Sequence, residues 1–266
     1  MKTRRQQRKK KKFPLIRTDK WQLHPTEKQR LQLELTVEEY RRLVRGLIGV
    51  VHVHWPEIAD APDQIKAVEV LIHKTAARPR VKYDYFSLNF YKFPSYLRRA
   101  AIHAAIGEVS SFVTRYNQWQ SGIRQSRDAK PPRLTADTGI YPNLYQGQCI
   151  RFAEGFKTAQ IKVWNGSDWV WTTPIPISGH RNRHLVESNE RKSPQLIMRG
   201  KKCQLSQPFQ INSGTLTEAG SVLAVDLGMN TTATVAVVDS DGTVKHREFI
   251  HPGRDIDQRD QRSRAN

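Results

Sequence analysis

Ser221-Val222-Leu223-Ala224-Val225-Asp226 is an apolar run closed by a carboxylate, and the chain changes character there. Leu227-Gly228-Met229-Asn230-Thr231-Thr232 follows, then a second apolar run from Ala233 to Val238, the turn Asp239-Ser240-Asp241-Gly242, and a third run from Thr243 to Ile250. Short apolar runs bounded by turn residues read as strands, the first two buried and the third partly exposed. Together they predict a three-stranded meander that opens an α/β domain. A lone carboxylate in a buried run is costly unless it meets a metal or hydrogen-bond donors, so Asp226 is expected to have a partner.

Three roles fit Asp226. It is a metal ligand in an RNase H-like nuclease, where carboxylates from several strands hold two Mg²⁺ ions ~3.5–4 Å apart. It belongs to the phosphate loop of an actin-like or sugar-kinase ATPase, whose opening has the same strand–turn–strand plan. Or it is a structural Asp that caps a turn. The ATPase plan places this strand near the start of the fold and needs two long lobes after it. Here 220 residues precede Ser221 and 40 follow Asp226.

Upstream the pattern is different. Residues 1–28 read as a basic, disordered arm suited to phosphate contacts; a nuclear-localisation patch at Lys9–Lys12 is the other reading. Leu31, Leu33 and Leu35 alternate with polar residues and suggest a short strand. Thr36 with Glu39 reads as a capping box for a helix whose apolar positions are Tyr40, Leu43, Val44, Leu47, Ile48 and Val51, ending at Pro56. A second helix fits Asp63–Thr75. The third runs from about Ser95 to Trp119, with Ala101, Ala105, Val109, Phe112, Tyr116 and Trp119 on one face as core. Arg98, Arg99 and Arg115 flank that face and are candidate nucleic-acid contacts, or solvated charges. From Ser121 to 220 prolines, aromatics and alternating runs predict strands. Gln160–Trp164 and Trp169–Thr173 form a hairpin around Asn165-Gly166-Ser167-Asp168, and Gln195–Met198 and Gln204–Ile211 are further strands. Many short strands with close turns suggest a small barrel, a shape that often binds nucleic acid across one face. Arg199, Lys201 and Lys202 stand between two of these strands and suit phosphate contacts, or a charged turn.

Composition agrees. Lys and Arg number 44 against 25 Asp and Glu, a net charge of +19. Eight of the first twelve residues are Lys or Arg, which leaves +11 on the rest. So basic a body implies a polyanionic partner, of which nucleic acid is the commonest, unless it is only a solvated surface. The two cysteines, Cys149 and Cys203, exclude a disulfide framework and a zinc site built on cysteine pairs, and fit a reducing cytosol. No apolar run approaches the ~18–20 residues of a membrane span, and Phe13-Pro14-Leu15-Ile16 is too short for a signal peptide's apolar region.

Leu223-Ala224-Val225-Asp226-Leu227-Gly228-Met229-Asn230 with Thr234-Val235-Ala236-Val237 resembles the first RuvC motif of the TnpB-type transposon-encoded RNA-guided endonucleases, relatives of the type V CRISPR effectors. The stretches Ala105-Ile106-Gly107-Glu108-Val109-Ser110-Ser111-Phe112 and Pro131-Pro132-Arg133-Leu134 through Tyr141-Pro142 resemble members of that family too, and the element order agrees over residues 29–255. The resemblance implies an α+β fold: residues 29–220 a nucleic-acid-binding barrel with a helical lobe inserted at about 36–120, and residues 221–266 the truncated start of an RNase H-like (RuvC) α/β domain. It implies guide RNA and target DNA as partners in a prokaryotic cytosol, with base pairing reading sequence and the protein reading shape. It makes Asp226 the first Mg²⁺ ligand. The family's later Glu, final Asp and zinc ribbon have no counterpart: Glu248 does not resemble the second motif, and Asp255, Asp257 and Asp260 lie in a charged, helical-looking tail. The chain is therefore expected to bind guide RNA and DNA, to hold Mg²⁺ poorly, to hold no zinc, and not to cleave DNA alone. A non-catalytic binding module acting as competitor or repressor is the alternative.

Overall fold

The computed structural model describes residues 15–123, 130–135, 139–179, 183–211, 220–226 and 233–250. The chain forms two compact units, Met1–Asn212 and Ser213–Asn266; the sequence drew that boundary at 220/221.

The first unit is mixed α+β. Its antiparallel strands are β1 (Leu15–Leu23), β2 (Ile150–Phe152), β3 (Thr158–Trp164), β4 (Trp169–Trp171), β5 (Ile175–Ser178), β6 (Glu190–Arg191), β7 (Gln195–Arg199) and β8 (Lys202–Ile211). They pair in the order β2-β3-β5-β1-β8-β6, with β4 added to β3 and β7 to β8. β1 pairs with β8 from Leu15↔Ile211 to Gln22↔Gln204, and its last residues also pair with β5. Serving two partners along its length bends the sheet into a half-barrel. On the inward face Trp21, Leu23, Ile161, Val163, Leu205 and Phe209 are buried.

Between β1 and β2 the chain inserts five helices: α1 (Glu27–Val53), α2 (Trp55–Ala59), α3 (Gln64–Ile72), α4 (Asp84–Asn89) and α5 (Ser95–Gln120). This region departs from the sequence expectation in several places. Leu15–Leu23, placed in the basic arm, is the strand β1; its alternation of exposed Thr18 and Lys20 with buried Asp19 and Trp21 is a strand's period of two. Leu31–Leu35, expected as a strand, lies inside α1. That helix starts earlier because Thr26 and Gln29 form the capping box: the Gln29 N–H donates to Thr26 Oγ1 at 3.3 Å and the Thr26 N–H to Gln29 Oε1 at 2.8 Å. Leu33, Val37, Tyr40, Val44, Leu47 and Val51 then form one buried face, leaving Leu31 in solvent. Thr36 caps nothing. Its hydroxyl donates to the Gln32 carbonyl at 2.7 Å and accepts the Trp164 N–H at 2.7 Å, tying α1 to β3. Pro56 opens α2 rather than closing α1. The expected second helix is the shorter α3, with Asp63 accepting the Lys66 N–H at 3.0 Å as its cap.

α5 has the bounds expected of it within one residue. Leu97, Ala101, Ala105 and Val109 are buried against the core, and the alanines allow close approach to α1. The stripe's second half differs: beyond Val109 no residue of α5 is buried, and Tyr116 is 38% exposed. The hairpin around Asn165–Asp168 forms as expected. Asn165 Oδ1 accepts the Ser167 and Asp168 N–H groups, and Gly166 takes φ 101°, a left-handed conformation that glycine adopts without strain.

The second unit, by itself, is the expected meander: β9 (Ser221–Asp226), β10 (Ala233–Asp239) and β11 (Val244–Ile250), all antiparallel with β10 central. The expected burial is corrected. Val222, Leu223 and Val225 are 64%, 62% and 55% exposed, and Ala233 alone among the described residues of this unit is buried. The stretch that carries Asp255, Asp257 and Asp260 lies outside the described residues, as do residues 227–232.

Candidate nucleic-acid interface

Asp226 ends β9 and is exposed, so desolvation does not force a partner on it. Register decides which carboxylates it can meet. Asp226 pairs with Thr234, which pairs with Phe249, while Val225 pairs with Val235 and that with Glu248. Adjacent rows of a sheet point to opposite faces, so Glu248 and Asp226 stand on opposite sides. Asp239 and Asp241 lie at the other end of the meander. Asp239 is held below the usual carboxylate range by Lys245 at 2.7 Å and Ser221 at 2.5 Å, and Asp241 by the Thr243 N–H. Among the described residues no three His, Cys, Asp or Glu side chains gather to hold a metal ion. The described residues do not make a two-metal site.

The basic candidates separate into two groups. Arg98 is half-buried and committed internally: one guanidinium nitrogen lies 2.9 Å from His73 Nδ1 and another donates to the Phe93 carbonyl at 2.9 Å. Burial lowers its pKa, and burial followed by the Arg98 guanidinium lowers that of His73. Arg99 is exposed on α5. Arg115 is exposed nearer that helix's end, its Nε donating to the Ser111 carbonyl at 3.2 Å.

Arg199, Lys201 and Lys202 are brought together with residues the sequence reading missed. Arg199 pairs with Lys202 across the β7–β8 turn, and all three side chains are exposed. The guanidinium of Arg30, on α1, donates to the Gly200 and Lys201 carbonyls and is braced by Glu34 at 3.0 Å. Tyr141 donates its hydroxyl to the Met198 carbonyl at 2.9 Å, which sets its ring beside the same hairpin. Arg41 lies 4.7 Å and Arg199 5.9 Å from that ring's centre, and Arg41 Nε donates to the Ile140 carbonyl at 3.0 Å. The result is a groove between α1 and the hairpin. One part, about 400 Å³, is lined by Glu34, Glu38, Arg41, Arg45 and Met198; the adjoining part, about 420 Å³, by Arg41, Tyr141, Met198 and Arg199. Arg41, Arg45 and Arg199 line it, against the carboxylates of Glu34 and Glu38, and Arg30, Lys201 and Lys202 lie at the adjoining hairpin. The signal was present in α1: Arg30, Glu34, Glu38, Arg41 and Arg45 recur every three or four residues along one flank of the apolar stripe.

The model of the Aq_aa04 family matches residues 17–165, more than half of the chain. The chain belongs to the Aq_aa04 family. The Aq_aa04 segment runs from within β1, through the helical insertion, to the residue after β3, and so contains Arg30, Arg41, Arg45 and Tyr141. No curated protein matches the chain. Among the described residues of this Aq_aa04 protein, no helix is long and apolar enough to cross a membrane.

Proposed function

We propose that this Aq_aa04-family protein binds nucleic acid, with the phosphate backbone lying in the groove between α1 and the β7–β8 hairpin. The observation that carries the reading is the convergence of Arg41, Arg45 and Arg199 on that groove, with Arg41 and Arg199 4.7 Å and 5.9 Å from the Tyr141 ring centre and the exposed Lys201 and Lys202 on the adjoining hairpin. Exposed arginines and lysines are the phosphate-contacting groups of such interfaces, and the excess positive charge of the whole chain adds long-range attraction.

Within that reading, the ligands are guide RNA and target DNA, as in the TnpB-type RNA-guided endonucleases. Element order supports this: a half-barrel strand, a helical insertion, the rest of the half-barrel, then an antiparallel meander whose first strand ends in Asp226. Asp226 would be the first Mg²⁺ ligand of an RNase H-like site, with its remaining ligands not among the described residues. The second reading, a non-catalytic binding module that competes or represses, is favoured by Glu248 standing on the face opposite Asp226. Mg²⁺-dependent cleavage by the purified chain, lost in Asp226→Ala, would decide for the nuclease.

Binding is tested with labelled single-stranded RNA and an RNA–DNA hybrid. The double variant Arg45→Glu/Arg199→Glu changes two exposed side chains, one in each part of the groove, and circular dichroism checks its fold. Affinity is expected to fall at least about tenfold. Unchanged affinity in a folded variant would move the ligand away from this groove.

A further inference from the structure

The outer face of β2–β4 is built from other residues and has a different chemistry. β3 alternates strictly: Ala159, Ile161 and Val163 are buried, while Gln160, Lys162 and Trp164 face outward. β4 pairs Trp171 with Lys162 and Trp169 with Trp164, and β2 pairs Arg151 with Gln160. Residues directly opposite in an antiparallel ladder share a face, so Arg151, Lys162, Trp164, Trp169 and Trp171 stand together on the side away from the core. The Arg151 guanidinium lies 4.1 Å from the Trp171 ring centre and the Lys162 ammonium 5.9 Å from it. Trp164 and Trp169 meet at 5.7 Å and 48°. Trp169 is anchored edge-on against Phe93 at 4.8 Å, which fixes the far end of the row. Trp164 and Trp169 also border a cavity of about 190 Å³ whose other walls include Arg42 and Lys92.

Trp169 packs against the core through Phe93, whereas Trp164 and Trp171 are half-exposed on the outer face. None of the three strands carries a carboxylate. Half-exposed aromatic rings interleaved with cations on one sheet face suit a ligand that offers both flat π-surfaces and negative charge, which is a nucleotide strand. A duplex keeps its base faces stacked on each other; an unpaired strand presents them. Trp164 and Trp171 stand diagonally on neighbouring strands, two rows apart, so their separation exceeds the ~6.8 Å between same-face positions of one strand and the ~3.4 Å rise of a stacked nucleic-acid strand, and each ring would meet its own splayed base.

We propose that the outer face of β2–β4 is a stacking platform for unpaired bases, Trp171 and Trp164 receiving base faces and Arg151 and Lys162 the neighbouring phosphates. This rests on the nucleic-acid reading above and adds strand type to it: the bound polynucleotide includes a single-stranded stretch.

The full chain is titrated by fluorescence anisotropy with labelled oligothymidylate and oligouridylate, and with a blunt duplex of equal charge. Trp171→Ala is expected to weaken single-strand binding about tenfold, with duplex affinity within about twofold of wild type, and Trp171→Phe to restore most of the loss. Lys162→Glu, which removes no ring from the sheet, is the second variant and should weaken single-strand binding in the same sense. If wild type binds neither single strands nor duplex, the nucleic-acid reading fails and the platform with it. If wild type binds both and Trp171→Ala and Lys162→Glu leave single-strand affinity unchanged, the platform alone fails.

Discussion

Strands β3 and β9 are both short and rich in apolar residues, yet they end in opposite environments. In β3, Thr158-Ala159-Gln160-Ile161-Lys162-Val163-Trp164, small and aliphatic side chains alternate with polar and aromatic ones, and burial alternates with them. In β9, Ser221-Val222-Leu223-Ala224-Val225-Asp226, there is no alternation, and among its residues only Ser221 is even partly buried. A strand apolar on both faces has the pattern of one covered on both faces. A strand apolar on one face needs only one cover, which the half-barrel's interior and α1 supply. The pattern of a run therefore states how much cover a strand calls for, whereas burial depends on what the rest of the unit provides.

The largest effect expected from that contrast is in stability. Phe209→Ala, in the half-barrel core, should cost about 3–5 kcal/mol, whereas Leu223→Ala in β9 should stay within about 0.5 kcal/mol, both by urea denaturation of the full chain. A comparable loss in both would mean that β9 is as well packed as β8. A smaller effect probes the tie between helix and sheet. Thr36→Val keeps shape but leaves the Trp164 N–H without its acceptor, an expected loss of about 1–3 kcal/mol. No loss would show that the 2.7 Å bond contributes nothing to holding α1 on β3.

The smallest effect is pH dependence at His73. Burial first, then Arg98, holds its imidazole below the ordinary value of 6.5, so the folded protein takes up that proton less readily than the unfolded chain. Glu69 opposes the shift and Arg78 adds to it. The stabilising difference is fully present above the folded and unfolded values and declines as pH falls through 6.5. His73→Gln should therefore lose less thermal stability than wild type between pH 7.5 and 5.5. Equal losses would remove His73 from the acid response.

How far the sequence could be read follows the same physics. α5 was legible because its first half has an uninterrupted helical period, and the 165–168 hairpin because Asn-Gly leaves little choice of turn. β1 was obscured by the adjoining run of charges, and Leu31–Leu35 misled because alternation over five residues also fits a helix that exposes Leu31 and buries Leu33. Of the candidate site, Arg199, Lys201 and Lys202 were visible as a local cluster. Their companions Arg30, Arg41 and Arg45 lie more than 150 positions earlier, on the polar side of a helix, and only the fold brings them to the hairpin. Trp171 and Arg151 were hidden for the same reason, since nothing local says that they share a face.

The phosphate-binding groove between α1 and the β7–β8 hairpin is probed best by the salt dependence of nucleic-acid binding by the full chain. Log K for a single-stranded RNA should fall linearly with log salt, with a slope of about −0.7 for each phosphate neutralised, giving a total near −3 to −4 if Arg41, Arg45, Arg199, Lys201 and Lys202 each neutralise one. A flat dependence would contradict the account, because the cations gathered between α1 and the β7–β8 hairpin would then not be meeting a phosphate backbone.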